Sequence, residues 1–253
     1  SVAAAGLGIG HSFTFSESVV KNFAFGVTLS YLYGLSFTRV SESDFYTETT
    51  FTDIEGNGSL VAEYAEGGDG YAINLDTTIA LFNDIRASVV LQNVTSLMEW
   101  DKNAKNILFH FNMNENGLEP LLDAGSPIDS VFVTQDTSIS VSKFASRLPS
   151  VLRLAMMIPL RASLSLNTEY EQGFDDSVIS STKPRFAMGA EFRPNRVLRF
   201  RVGASIGGSY ENHYSGGFGL AIDRFCWDIA VRSYNGLTSK TSKGFGLATS
   251  IGI

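Results

Sequence analysis

Between residues 22 and 38 the side chains alternate in size with scarcely a break. Phe23, Phe25, Val27, Leu29, Tyr31, Tyr33, Leu35 and Phe37 fall on one parity, and Ala24, Gly26, Thr28, Ser30, Gly34 and Ser36 on the other. A period of two belongs to an extended strand whose successive side chains leave opposite faces. A soluble sandwich turns its bulky face to a core and its charged face to water. Here the second face is small and only weakly polar, which suits a wall between lipid and a crowded lumen.

The same alternation recurs along the chain. Ala5, Leu7, Ile9, Phe13 and Phe15 oppose Gly6, Gly8, Gly10, Ser12 and Thr14, while Ile73, Leu75, Ile79 and Leu81 oppose Asn74, Asp76, Thr78 and Ala80. Leu164, Leu166 and Tyr170 oppose Ser163, Ser165, Asn167 and Glu169. In the last third the bulky parity continues through Phe186, Met188, Phe192, Leu198, Phe200, Val202, Phe225, Trp227, Ile229, Val231, Phe245, Leu247 and Ile251. The opposite parity there holds Arg185, Glu191, Arg193, Arg199, Arg201, Asp228 and Arg232. A lipid-facing charge costs about 2 to 4 kcal/mol near the midplane, so these seven residues are expected to point inward as a cross-strand charge ladder that fills a lumen and fixes register. An anion-preferring channel is the functional alternative for the same set.

Composition narrows the classes further. No run approaches the ~20 apolar residues of a membrane helix, so any span has to be made by strands. A net charge of -7 argues against nucleic acid, for which no basic stripe is available. One cysteine, Cys226, allows neither an intrachain disulfide nor a cysteine-based zinc site. The evenly spaced strands, with no break in composition, predict a single domain over 1–253.

Connection lengths also follow the barrel pattern of short turns at one rim and long links at the other. Asn83-Asp84, Pro159 to Arg161, Pro194-Asn195 and Asp223-Arg224 read as tight turns, and Glu171 to Lys183, Gly207 to Ser215 and Asn235 to Lys243 as long links. Asp44 to Glu66, centred on a Gly56-Asn57-Gly58 turn, reads as an extended extracellular hairpin. Asn114 to Leu148 reads as the longest irregular link, with a short helix at Leu118 to Leu122 and a hidden strand near Thr137 to Phe144. The expected fold class is all-β, an antiparallel transmembrane β-barrel of roughly 12 to 14 strands. The count comes to roughly thirteen, an odd number, and since single-chain bacterial barrels are normally even-stranded, either the count is off or at least one strand precedes Ser1. No leader is legible at Ser1, so secretion implies one removed or lying outside this sequence.

Several motifs invite a chemical reading and lose it on inspection. Gly6-Leu7-Gly8-Ile9-Gly10 runs into strand at His11 to Phe15, not into the helix N-terminus a phosphate loop needs. His11, His110 and His213 have no carboxylate at ligand spacing, and Asp175-Asp176 supplies too few oxygens for calcium. No Ser, His and acid set can be placed on one rim, so no catalytic, cofactor or metal residue is assigned and no cofactor is expected. Asn93-Val94-Thr95 matches a glycosylation pattern that has no meaning in a bacterial barrel. Trp100, Trp227, Tyr31, Tyr33, Tyr170 and Tyr234 near strand ends suggest an aromatic girdle at headgroup level.

Leu148-Pro149-Ser150-Val151-Leu152-Arg153-Leu154, Tyr170-Glu171-Gln172-Gly173 and Gly189-Ala190-Glu191-Phe192-Arg193-Pro194 resemble a succession found in PorV-like and FadL-like outer-membrane β-barrels. Upstream, Gly70 to Asp76, Leu91-Gln92-Asn93 and Glu99-Trp100 resemble an uncharacterised Bacteroidota-type branch of that group. The resemblance runs from Gly70 to Ile253 and marks strand and turn positions, not chemistry. Ala155 replaces the glycine of the pattern, Ile253 stands where an aromatic residue is usual, and no plug segment precedes Ser1. It implies a FadL-like barrel of about fourteen strands in the bacterial cell outer membrane. It also implies transport of small hydrophobic compounds or, alternatively, a structural or anchoring subunit of an outer-membrane or secretion-associated complex. The partners implied are outer-membrane lipid, hydrophobic small molecules and a periplasmic or surface protein, without nucleic acid or catalytic activity.

Overall fold

The computed structural model describes residues 1–16, 19–49, 54–113, 132–177, 180–209, 212–222, 224–236 and 241–252. Those residues are dominated by strands: β1 (Val2–Thr14), β2 (Val20–Gly34), β3 (Phe37–Thr49), β4 (Ile54–Ala65), β5 (Gly67–Leu81), β6 (Arg86–Lys102), β7 (Lys105–Met113), β8 (Phe132–Ser140), β9 (Phe144–Ser146), β10 (Val151–Arg161), β11 (Leu164–Gly173), β12 (Arg185–Phe192), β13 (Leu198–Gly207), β14 (Asn212–Ile222), β15 (Phe225–Tyr234) and β16 (Gly244–Gly252). A 3-10 turn over Phe82–Asp84, with Asn83 at φ 56°, joins β5 to β6. Twelve strands form one sheet in the order β1-β2-β5-β6-β10-β11-β12-β13-β14-β15-β16, with β9 paired to β6, and four form a second in the order β3-β4-β7-β8. The larger order ends at β1 and β16, and that sheet is not closed into a barrel.

Contacts divide the chain into two compact units. The first comprises Ser1–Ala5, Ser30–Tyr71 and Leu97–Arg147, and the second Gly6–Leu29, Ala72–Ser96 and Leu148–Ile253. The first holds a small packed core. Trp100, 1% exposed, lies with Met98 under Gly34, donates its indole N–H to Ser146 Oγ at 2.8 Å and meets the Phe37 ring at 4.8 Å. Phe37 in turn packs on Phe144 at 5.3 Å. Trp100 is thus a core residue of this unit and not part of an exposed girdle, because Gly34 leaves room for its ring where any side chain would strike it.

The hairpin expected over Asp44 to Glu66 is present but longer, and its reversal lies elsewhere. β3 pairs with β4 from Phe37↔Ala65 to Thr49↔Ile54, so residues 50–53 join them, and Gly56, Asn57 and Gly58 sit inside β4 opposite Thr47, Tyr46 and Phe45. Gly58 is explained by crowding. It lies between Phe45 on β3 and Phe111 on β7, whose rings approach to 5.5 Å across it and occupy the space a Cβ would need. The strand expected at Thr137 to Phe144 is split: β8 ends at Ser140 and belongs to the smaller sheet, and Phe144 begins the short β9 against β6. The helix expected at Leu118 to Leu122 lies outside the described residues, as do residues 114–131 of the long link.

In the second unit β10 to β16 form an uninterrupted antiparallel meander. Links of two to five residues follow β10, β12 and β14, and long ones, 174–184 and 235–243, follow β11 and β15. The link expected to be long over Gly207 to Ser215 is only 208–211, because β14 already begins at Asn212. One tight turn differs from expectation: β10 continues past Pro159 to Arg161, and the chain reverses at Ala162-Ser163. Proline is tolerated in the strand because pairing with β6 has already stopped at Met157↔Arg86 and the β11 ladder shifts register between Pro159 and Arg161.

Asn74, Asn93, Pro149 and Ser150, which belong to the motifs of the family resemblance, meet in this unit, whereas Gly70, Tyr71, Glu99 and Trp100 lie in the first. Asn93, at φ 51°, donates from Nδ2 to the Pro149 carbonyl at 2.9 Å, accepts the Ser150 hydroxyl on its own carbonyl at 2.7 Å, and donates its backbone N–H to Asn74 Oδ1 at 2.8 Å. This joins Asn74, the Leu91 to Asn93 motif and the Leu148 to Leu154 motif through one residue in the left-handed region. Its amide is therefore committed to structure.

Candidate functional site

Strand register sorts the second unit into two faces. Leu154, Met156, Phe186, Met188, Phe192, Phe200, Val202, Ile206, Ile222, Phe225, Val231, Phe245, Leu247 and Ile251 share one face and are exposed, Leu247 to 73% and Val202 to 65%. Ordinary burial would stabilise each by about 1.5 to 3 kcal/mol. Leaving fourteen of them half exposed to water forfeits a sum comparable with the whole stability of a domain, about 5 to 15 kcal/mol. Nothing among the described residues of this unit packs over them as a second sheet.

The opposite face carries the charges. Glu191 and Arg201 are direct cross-strand partners on β12 and β13 and pair at 2.6 Å. The second carboxylate oxygen of Glu191 accepts from Arg193, two residues on and just past the end of β12. Arg201 also spans β14 to reach Asp228 on β15 at 2.5 Å. It can do so because β14 presents Gly217 and Gly219 there, and a Cβ at Gly219 would strike the Asp228 carboxylate. Glu191 is the joint of this network, with 11% of its side chain exposed.

Arg185 belongs to a second network. It pairs with Glu169 at 2.5 Å and Glu171 at 3.3 Å, and Glu171 also holds Arg153 at 2.7 Å. Arg153↔Glu171↔Arg185 is one row of the register across β10, β11 and β12. Both networks are internally neutral. Arg199, opposite Gly219, and Arg232, opposite Ser215, share the face but lie outside both sets of ion pairs. The seven residues of the expected ladder thus divide into four joined, one assigned elsewhere and two apart.

Glu171 reads from sequence as the start of a long link, whereas β11 runs on to Gly173 and brings Glu169 and Glu171 beside Arg185 on β12. Arg153 is hidden separately, because a turn centred on Leu160 pairs it with Asn167. The reversal at Ala162-Ser163 brings Glu171 opposite instead.

A concavity of about 770 Å³ opens on this face, lined by Arg86, Ser88, Ala155, Asn167, Glu169, Ala187, Gly189, Glu191, Arg201 and Gly203, among others. A depression of about 760 Å³ lies on the apolar face. Its floor follows the register row Ala87, Met156, Thr168, Met188 and Ala204, and Val89, Leu154, Tyr170, Phe186 and Ile206 form the adjoining row.

Among the described residues no group of three or more His, Cys, Asp or Glu side chains could hold a metal ion. Asp176 ties down its own loop, accepting the Thr182 backbone N–H and hydroxyl, each at 2.7 Å. Those two donors, the backbone one foremost, hold its carboxyl below the usual aspartate range. The sequence matches no protein-family model, and no curated protein is similar to it. Fold and face chemistry therefore define a class no finer than an all-β antiparallel sheet protein with one exposed apolar face and one ion-paired face.

Proposed function

We propose that this chain forms the wall of a bacterial outer-membrane β-barrel of the PorV/FadL type that passes small hydrophobic compounds across the membrane. One observation carries the membrane reading: the exposed apolar parity of β10 to β16, which lipid would cover at no cost and water would not. In this reading the sheet edges β1 and β16 are joined in the membrane, since an unpaired strand edge in hydrocarbon costs several kcal/mol per lost hydrogen bond. The same protein run boiled and unboiled on a detergent gel tests closure. A closed barrel migrates differently in the two states, and identical migration contradicts it.

The apolar depression over Ala87, Thr168 and Ala204 supports the transport half of the proposal. It offers a hydrophobic compound a place on the lipid side, where entry needs no desolvation of charge. Liposomes containing the protein should admit a small radiolabelled aromatic hydrocarbon faster than empty liposomes, and Ala204→Trp, which fills the depression, should reduce that rate several-fold. Equal rates with and without protein would remove the transport reading.

An anchoring role is favoured by a different observation. The four-stranded sheet β3-β4-β7-β8 exposes Phe45, Tyr46 and Phe109, which suits the grip of a protein partner. Removing residues 42–61 should then abolish partner retention while leaving hydrocarbon flux intact.

A further inference from the structure

We infer that the short-turn rim of the second unit is a docking surface for the phosphates of anionic lipid headgroups, with Arg161, Arg196 and Arg224 as its exposed contacts. The inference rests on the membrane reading and adds a chemical preference and an orientation to it. The turns belong to one rim by direct contact. Phe82 N–H donates to the Val19 carbonyl at 3.0 Å, Arg193 N–H to Ser163 at 2.7 Å and Ala221 N–H to Val197 at 2.8 Å.

The charge of this rim runs against the charge of the chain. Among the described residues Lys21, Arg86, Arg161, Arg193, Arg196, Arg199 and Arg224 lie in or beside these turns, against Asp84 and Glu191, and the sequence of the same links adds the acids Glu17 and Asp223. The rim is therefore positive in a protein of net charge -7. Two of the acids are already engaged, Asp84 with Lys21 at 3.9 Å and Glu191 with Arg193 and Arg201. Arg161, Arg196 and Arg224 are exposed, and among the described residues no carboxylate lies within ion-pair reach of them.

Depth fits as well as charge. Phe192 and Phe225 on the apolar face are immediate neighbours of Arg193 and Arg224, and Phe200 and Ile222 stand next to Arg199 and two residues from Arg224. At about 3.3 Å per residue the guanidinium groups leave the chain within about 7 Å of the apolar band, at headgroup level. A guanidinium offers a phosphate two parallel N–H donors, which an ammonium cannot.

Trp227, on the same face and near the same rim, reports which lipid sits there. Its indole N–H donates to Thr249 at 3.0 Å, and Trp100 in the other unit supplies a constant background. The full chain reconstituted in vesicles is titrated with brominated phosphatidylglycerol or brominated phosphatidylcholine, and quenching gives the relative affinity. The wild type should favour the anionic lipid at least about five-fold at low salt, the effect of a single arginine at an anionic surface, and lose the preference as salt rises. R161Q/R196Q/R224Q should quench equally with both lipids while inserting normally into neutral vesicles, and the matching triple lysine variant should keep most of the preference.

A wild-type ratio near one, or an undiminished ratio in the glutamine variant, would overturn the inference and leave the membrane reading standing. Loss of the preference to inorganic phosphate at matched ionic strength would also overturn it, since the rim would then be a free-anion site. Failure of the wild type to insert into vesicles of either composition would remove both.

Discussion

Glu191 does the most for the polar face with one side chain. Its two oxygens serve Arg193 just past the end of its own strand and Arg201 on the next strand, and Arg201 passes the connection on to Asp228. Glu191→Gln keeps the shape and removes the charge, leaving two guanidinium groups short of a partner. It should cost about 1 to 3 kcal/mol in urea-induced unfolding from vesicles, whereas Arg199→Gln, outside the ion pairs, should stay within about 0.5 kcal/mol. Equal effects would mean that the network contributes no more than scattered charge.

Asp176 gives a pH prediction at the same scale. Its folded-state carboxyl is held below the ordinary aspartate range by Thr182, so the loop contact is in place above that range and is lost as pH falls through the depressed value. The Thr182 amide should therefore exchange slowly at neutral pH and quickly in strong acid. Asp176→Asn should exchange quickly throughout.

Elements were the most legible level of this chain. The period of two located β1, β2, β5, β11 to β13, β15 and β16 because it follows from geometry and needs no knowledge of neighbours, whereas in β14 Gly216, Gly217 and Gly219 interrupt it. Turn chemistry was less informative. Pro159 and the Gly56-Asn57-Gly58 run are turn-forming types, yet both lie in strands, the first beyond the reach of β6 pairing and the second where two phenylalanine rings crowd a glycine. Each depends on residues distant in sequence, which no local pattern encodes. The shift of one turn hid the Arg153-Glu171 pair and the early end assigned to β11 hid Glu171-Arg185, so element-level errors became site-level ones.

The division of faces makes a prediction at element scale from two adjacent residues of β12. Met188 is on the exposed apolar face and Ala187 lies opposite Glu169 on the ion-paired one. Met188→Lys should destabilise the vesicle-embedded protein by about 2 to 4 kcal/mol and Ala187→Lys by much less, measured by the same urea titration. Comparable losses would mean that the two faces meet similar surroundings.

At the scale of the whole molecule, a sheet with an exposed apolar face and a polar, largely charge-compensated one is consistent with a solvent that differs on its two sides. Cysteines placed one at a time from Leu198 to Gly207 in a chain carrying Cys226→Ser, spin-labelled and reconstituted in vesicles, read that difference along β13. Collision with oxygen, which concentrates in hydrocarbon, should peak at Leu198, Phe200, Val202, Ala204 and Ile206, and collision with a water-soluble nickel chelate at the positions between them. If the labels show no period of two, or meet the nickel chelate alike on both parities, lipid does not cover the bulky face and the account fails.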